Sequence, residues 1–307
     1  MSRHERGVAL ITVLLVVALA TTAAVAMVSR QQLDIRRTGN ALQYEQAYLY
    51  VNGIEQWASR VLRGDQRDNE YDHLAEEWAT QLPPIPVEGG QLGGYLEDRQ
   101  GRFNVNSLLL GGEPDPAAVE RFRRLLLVLE LDPDLTNALL DWLDADLEVR
   151  FPGGAEDGVY LAGEPAYRSA NGSLASITEL RLLHGLDQEG YDRLAPYVAA
   201  LPEPAPINVN TATVPVLMSL AEGIDQGIAE MLVEARGEEG YAEMDDFLSQ
   251  PGLEDLALPL EVLGVSSRYF VVTSQIQFGR ISVGYQSMIE RGQDNTSRVI
   301  RRAQGRL

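Results

Sequence analysis

The chain has no cysteine and no lysine among its 307 residues, and only three histidines. Without cysteine there can be no disulfide, no thiolate metal site and no thiol nucleophile. The histidines (His4, His73 and His184) are scattered, and His184 reads as a turn residue rather than a base. No G-x-S-x-G turn or phosphate-binding loop accompanies them. Carboxylates are plentiful, but nothing marks one as the proton donor of a glycosidase pair. Catalysis therefore has no footing, and the chain reads as a non-enzyme. One further absence is local. From Val8 to Val28 there is no charged side chain at all.

At ~1.5 Å per residue that run spans roughly 30 Å as a helix, the thickness of a bilayer's hydrocarbon core. Two readings compete. The run is a retained membrane helix, or it is the core of a secretory signal cut after Ala26 in the A-x-A pattern Ala24-Val25-Ala26. The second reading would release a secreted or periplasmic calcium-dependent binding module. The apolar stretch is longer than the ~7–15 residues usual in signals. Apolar residues also continue at three- and four-residue spacing through Leu33, Leu42, Ala47, Val51, Ile54, Ala58, Val61 and Leu62. The retained helix is favoured, running from about residue 8 to about 63, its first half in lipid and its second on a globular head. Arginines flank the run on both sides, so the positive-inside rule leaves orientation nearly tied.

The formal charge is −20, and it is unevenly spread. Residues 1–63 carry +3 and residues 280–307 carry +4, so the stretch between them carries −27. Such a middle repels nucleic-acid phosphates. It fits a solvated acidic surface or one that binds cations.

Residues 64–94 read as a linker, with Pro83-Pro84-Ile85-Pro86, two glycine pairs and a short helix around His73–Thr80. Tyr95–Asp98 and Arg102–Asn106 read as a hairpin around Arg99-Gln100-Gly101. Helical pattern then fills Asp115–Leu129, Asp134–Asp144, Ser176–His184, Gln188–Ala199, Val214–Ala221, Gln226–Arg236 and Met244–Gln250. Strand pattern returns at Tyr269–Phe278, Ile281–Ile289 and Ser297–Arg302. A sheet connection of ~150 residues is far beyond loop lengths and must carry its own core. The expected fold is α+β: a long N-terminal helix plus an antiparallel sheet, with a large all-α insertion (helix-hairpin-helix-like) between strands.

Within the insertion, Ile177–Leu194 and Val214–Leu232 each read as helix, glycine turn, helix, and each resembles a helix-hairpin-helix unit. DNA-binding versions grip phosphate with turn amides and basic side chains. Here the turns carry Asp187, Glu189, Glu222 and Asp225, so the units read as packing modules. The sharpest constellation is Asp141-Trp142-Leu143-Asp144-Ala145-Asp146 followed by Gly153-Gly154-Ala155-Glu156-Asp157. Asp141 and Asp144 share a face at the carboxyl end of a helix, the wrong end of its dipole for anions. Clustered oxygens on a glycine-containing turn suit Ca²⁺, although the spacing is not that of an EF-hand. A solvated acidic loop is the competing reading.

Two resemblances weigh on these alternatives. The junction Glu5-Arg6-Gly7 before Val8-Ala9-Leu10-Ile11 resembles the leader of type IV pilins and type II secretion pseudopilins. That implies cleavage between Gly7 and Val8 by a prepilin peptidase and methylation of Val8. The family usually has glutamate at the fifth mature residue, where this chain has Thr12. A carboxylate there neutralises a neighbour's terminal amine in an apolar setting, so its absence implies a place at a filament's end. Further on, Asp141-Trp-x-Asp-x-Asp146, Gly154-Ala-Glu-Asp157, Tyr160, Tyr167-Arg168, Asn171-Gly172 and Glu179-Leu180 come in one order. With Arg102-Phe-Asn-Val-Asn106 and Asn208-Val-Asn-Thr211, they resemble the minor pseudopilin subunit K family of the type II secretion system.

That resemblance implies a single-pass inner-membrane protein with a periplasmic globular domain. It would cap the tip of the pseudopilus and help to initiate its assembly for protein export. The implied partners are minor pseudopilins I and J, then H and the major pseudopilin G, with no nucleic acid. The implied layout is a leader at 1–7, a transmembrane helix at 8–28 and its periplasmic continuation at 29–63. A pilin-like domain follows at 64–106 and 267–307, with the helical insert at 107–266. The insert is expected to hold Ca²⁺, as one ion or two, through Asp141, Asp144, Asp146, Glu156, Asp157 and Asn171 or Glu179.

Overall fold

No proline precedes Pro83, and the first 68 residues are rich in alanine, leucine and valine. They form one helix, α1 (Arg3–Asp68), in the computed structural model, which describes residues 3–279, 281–292 and 294–305. Gly7 and Val8 lie within α1, whereas Met1 and Ser2 of the expected leader fall outside the described residues. The chain divides into two compact units, Met1–Val51 and Asn52–Leu307. In the first, residues 9–42 are all exposed, including Leu10, Val16 and Val25 at 61–64 %. Among the described residues this is the one helix long and apolar enough to cross a membrane, with a mean hydropathy of 2.5 over its best window.

The second unit is built on a five-stranded antiparallel sheet. Its strands are β1 (Leu82–Val87), β2 (Gly90–Asp98), β3 (Tyr269–Phe278), β4 (Ile281–Arg291) and β5 (Ser297–Gln304), paired in that order. Period-two alternation explains the unbroken apolar start of β3, Tyr269-Phe270-Val271-Val272. Phe270 and Val272 pack with Ile54, Ala58 and Leu62 of α1 and with Trp78. Tyr269 and Val271 pack on the opposite side with Ala199, Leu201 and Met288. The sheet is thus covered on one face by the end of α1 and on the other by the insertion.

The hairpin expected at Tyr95–Asn106 does not form. β2 pairs with β3 from Gly90 to Asp98, β1 pairs on the other side only with Gly90–Gly94, and Arg102–Asn106 does not pair with the remainder. Asp98 accepts from the Gln100 amide at 2.7 Å and turns the chain away. Phe103–Asn104 pairs instead, in parallel, with Val198–Ala199. The real hairpin is β1–β2, closed by Gly89 at φ +82°. Its first strand is the proline run read as linker. Proline cannot donate to a ladder, but an edge strand tolerates that. The helix expected at His73–Thr80 shrinks to one 3-10 turn, Glu77–Ala79.

The insertion runs from Arg99 to Arg268 and has two cores. The first holds α2 (Pro116–Val128), α3 (Leu135–Leu143), α4 (Asp157–Tyr160) and α5 (Gln188–Leu194). Phe103 and Phe122, with rings 5.2 Å apart, sit among Leu125, Leu139, Tyr191 and Leu194. Phe103 therefore belongs to the insertion and not to the pilin-like half. Two helical expectations are corrected here. Ser176–His184 is only a 3-10 turn at Ile177–Leu182, and Gln188–Ala199 stops at Leu194, where Pro196 opens another 3-10 turn. The second core holds α6 (Val214–Leu220), α7 (Gln226–Ala235) and α8 (Met244–Leu248) around Leu217, Leu232 and Phe247. Gly185 and Gly223 make the two glycine turns at φ +82° and +100°. Asp187 and Asp225 accept from the Gly190 and Ile228 amides at 2.8 Å, so acids occupy amides that a phosphate would need.

Candidate metal centre

α3 ends where its apolar face runs out, and Asp144 is its C-terminal cap. The chain then folds back through Arg150 and Gly154 towards α4, whose N-cap is Glu156. A Cβ on Gly154 would lie 2.1 Å from the Arg150 carbonyl and 2.4 Å from Asp141 Oδ2, so only glycine lets the return strand come this close. The fold brings carboxylate oxygens of Asp144, Asp146 and Glu156 within 4.8 Å of one another. Asp144 and Glu156 are buried and Asp146 is exposed, so the cluster opens to solvent on one side.

Around this core the other expected residues take distinct positions. Asp141 is fully buried and accepts from the Arg150 amide at 3.1 Å and from Arg150 Nη1 at 2.8 Å. Arg150 Nη1 also pairs with Asp144. Asp157 Oδ1 accepts from the Ser169 amide at 3.1 Å, while Ser169 Oγ is 3.2 Å from Glu156 Oε2 and also bonds Asn171 Oδ1. Asn171 sits at φ +46° and donates to the Asp146 carbonyl at 3.3 Å. Glu179 stands apart. Its carboxylate accepts from the Ala175 and Ser176 amides at 2.7 and 3.0 Å and closes a capping box on the 3-10 turn. The spacing Ser176-x-x-Glu179 matches that capping duty, so Glu179 is not grouped with the cluster.

The electrostatics are unbalanced. Five carboxylates (Asp141, Asp144, Asp146, Glu156 and Asp157) face Arg150 and the exposed Arg168, 3.6 Å from Asp157. Burial pushes the carboxyls of Asp144 and Glu156 up, and the neighbouring acids add to it. Asp144 Oδ1 and Glu156 Oε1 are buried with no hydrogen-bond partner. An orphaned buried carboxylate oxygen is unfavourable by more than a neutral group would be. Two residues with such oxygens, grouped with a third carboxylate, form a hard-oxygen donor set of the kind that suits Ca²⁺. Trp142, Tyr160 and Tyr167 form an aromatic group next to these residues in the chain, Trp142 meeting both tyrosines edge-on, with ring spacings of 5.1–6.4 Å.

Two features had escaped the sequence reading. Arg150 is the sole basic residue between Arg124 and Arg168, and that isolation was a usable signal. A second acidic group, Asp65, Asp72 and Glu76, is pinned by Arg291, which lies 2.9 Å from Asp65 and pairs with Asp72. Arg291 is more than 200 residues from these acids in the chain, so no local pattern announces the pairing.

A long apolar helix whose last turns lie on an antiparallel sheet, with a two-core helical insertion carrying an acidic cluster, defines a pilin-like subunit of the large kind. Residues 101–203 and 207–266 match two family models described as type II secretion system (T2SS), protein K. The type II secretion system protein K of Pseudomonas aeruginosa is 44% identical over 99% of this chain and 94% of its own length. That of Klebsiella pneumoniae is 36% identical over 99% and 98%. A solved structure, the GspK-GspI-GspJ complex from the enterotoxigenic Escherichia coli type 2 secretion system, matches with a TM-score of 0.78. It is 30% identical and covers 88% of this chain and 100% of the matched one. The chain belongs to the type II secretion system protein K family, and its role is that of a minor pseudopilin.

Proposed function

We propose that the chain occupies the tip of the pseudopilus and helps to start its assembly. It would be anchored in the inner membrane by residues 8–28 with its globular part in the periplasm. The carrying observation is Thr12. It sits in a wholly exposed and uncharged helical run, where a pilin stacked beneath its own kind needs a carboxylate. A helix lacking that group is suited to the end of a fibre. The solved relative is named as a complex with GspI and GspJ, which supports the homologous I and J pseudopilins as this chain's direct neighbours. Pseudopilins H and G would lie below them. A prepilin peptidase would remove Met1–Gly7 and expose Val8. The role is architectural, and no catalytic step is assigned to it.

In this reading Asp144, Asp146 and Glu156 hold a calcium ion, with Asp157 and Asn171 completing its surroundings through the Ser169 loop. Asp141 acts one step back, by holding Arg150. The ion supplies positive charge that neutralises the cluster and fastens the Asp146, Glu156 and Asn171 loops together. The two orphaned oxygens are what support a metal over a merely solvated loop.

Affinity purification of the tagged full-length chain from detergent-solubilised membranes tests the assembly claim. Co-purification of I and J in equal amounts is expected. Recovery of the chain alone, with I and J present in the same membranes, would contradict it.

A further inference from the structure

Arg121 is the unusual charge of the insertion. It lies on the buried face of α2 and is 4 % exposed. Its Nε is buried without a partner, and no hydrogen bond or ion pair reaches the guanidinium among the described residues. The other buried arginines differ. Arg99 lies 3.6 Å from Glu97, and Arg291 lies 2.9 Å from Asp65. A buried cation is retained where something pairs with it, because leaving it unpaired is strongly unfavourable.

Arg121 lines a cavity of about 300 Å³, distinct from the acidic cluster. The walls are mostly apolar, from Phe103, Leu110, Ala117, Pro206 and Val262. The other polar lining groups are committed or solvated. Asn104 Oδ1 accepts from the Leu201 amide at 3.0 Å, Ser107 donates to the Asn104 carbonyl at 2.6 Å and Asp115 caps α2. Glu261 is exposed to water. Asp115 and Glu261 favour the charged guanidinium, yet burial outweighs them and pushes its pKa down. The cavity thus offers one cationic group, a forked donor at a mostly apolar wall beside the carboxylates of Asp115 and Glu261, which is the arrangement of a small-ligand site.

We propose that this cavity binds a carboxylate carried on a short aliphatic stem, with the carboxylate paired to Arg121 and the stem against Phe103, Leu110 and Val262. At ~30 Å³ for each water-sized volume, the space admits a ligand of about ten heavy atoms or fewer. The same chemistry comes from a free aliphatic acid or from the terminal carboxylate of an apolar peptide.

The test uses the full-length chain in detergent micelles and ligand-observed NMR. Butyrate is the probe, and butyramide is its neutral control. Saturable line broadening is expected with butyrate and not with butyramide. Arg121→Met should weaken butyrate binding at least about ten-fold, since it removes a charge-assisted pair. Ala117→Phe fills the cavity from an exposed helical position and leaves the guanidinium intact, so it should abolish binding even if the Arg121 variant folds poorly. A tripeptide Ala-Val-Leu with a free terminus, compared with its amide, separates the sources. Tighter binding of the free peptide than of butyrate points to a chain terminus, and the reverse points to a free acid. Equal broadening of butyrate and butyramide, or butyrate binding unchanged by both substitutions, would overturn the proposal.

Discussion

Replacing Asp144 by asparagine separates a metal-binding cluster from a solvated acidic loop, because only the first predicts a calcium-dependent stabilisation that the substitution removes. Asp144 is buried, with Oδ2 on Arg150 and Oδ1 unpartnered. In chelator the cluster holds more negative than positive charge, so Asp144→Asn removes part of a repulsion. Arg150 keeps Asp141 at 2.8 Å, so no guanidinium is stranded. The variant should then melt at the same temperature as the unmodified chain or slightly higher. With calcium at a hundred times its dissociation constant, linkage stabilises the folded state by about 2.7 kcal/mol. For a folded unit of this size that corresponds to roughly 5–10 °C in Tm. The expected result is a shift of that order for the unmodified chain and little or none for Asp144→Asn. Circular dichroism melts in calcium and in EGTA read both. Identical melting of the unmodified chain in calcium and chelator refutes the metal reading. Equal destabilisation by Asp144→Asn in both conditions refutes the charge argument behind it.

Three further outcomes follow from particular contacts. Gly154→Ala forces a Cβ against the Arg150 carbonyl and Asp141, and should destabilise the insertion by about 1–3 kcal/mol and blunt the calcium response together. Phe122→Ala empties a site that is 1 % exposed and faces Phe103, so denaturant melts should show a loss of about 3–5 kcal/mol. Burial pushes Asp65 up to about 7 and Asp98 up to about 6. Both titrate near 4 when unfolded, so between about pH 4 and 7 the folded state holds more protons and stability falls as pH rises through that window. In chelator, stability should therefore be greater at pH 5.5 than at pH 8, by on the order of 1–2 kcal/mol. Asp65→Asn should flatten the slope, and an unchanged slope would remove Asp65 from the explanation.

Much of this architecture was legible because it rests on periodicity and composition. The long helix follows from apolar spacing without proline, and Tyr269–Phe278 matches its predicted bounds because four consecutive apolar residues can be buried on both faces of a sheet. What could not be read was partnership. Phe103–Asn104 looks like the return arm of a hairpin, and only its parallel pairing with Val198–Ala199, far along the chain, shows where it goes. The proline run looks like linker because its strand character depends on an edge position that the sequence does not specify. In the acidic cluster, Asp144, Asp146 and Glu156 were visible as residue types near a glycine turn. Glu179 is equally acidic, and its duty as a capping carboxylate shows only in the hydrogen bonds it accepts at the start of the 3-10 turn. Arg121 carried no signal, since an arginine on an amphipathic helix is ordinarily exposed.

The central claim is that the apolar helix stays attached and anchors the head. It is tested most directly by the intact mass and amino-terminal sequence of the chain recovered from cells. The account predicts membrane-bound protein that begins at a methylated Val8, with residues 1–7 gone. Free periplasmic protein beginning at Met27 would contradict it.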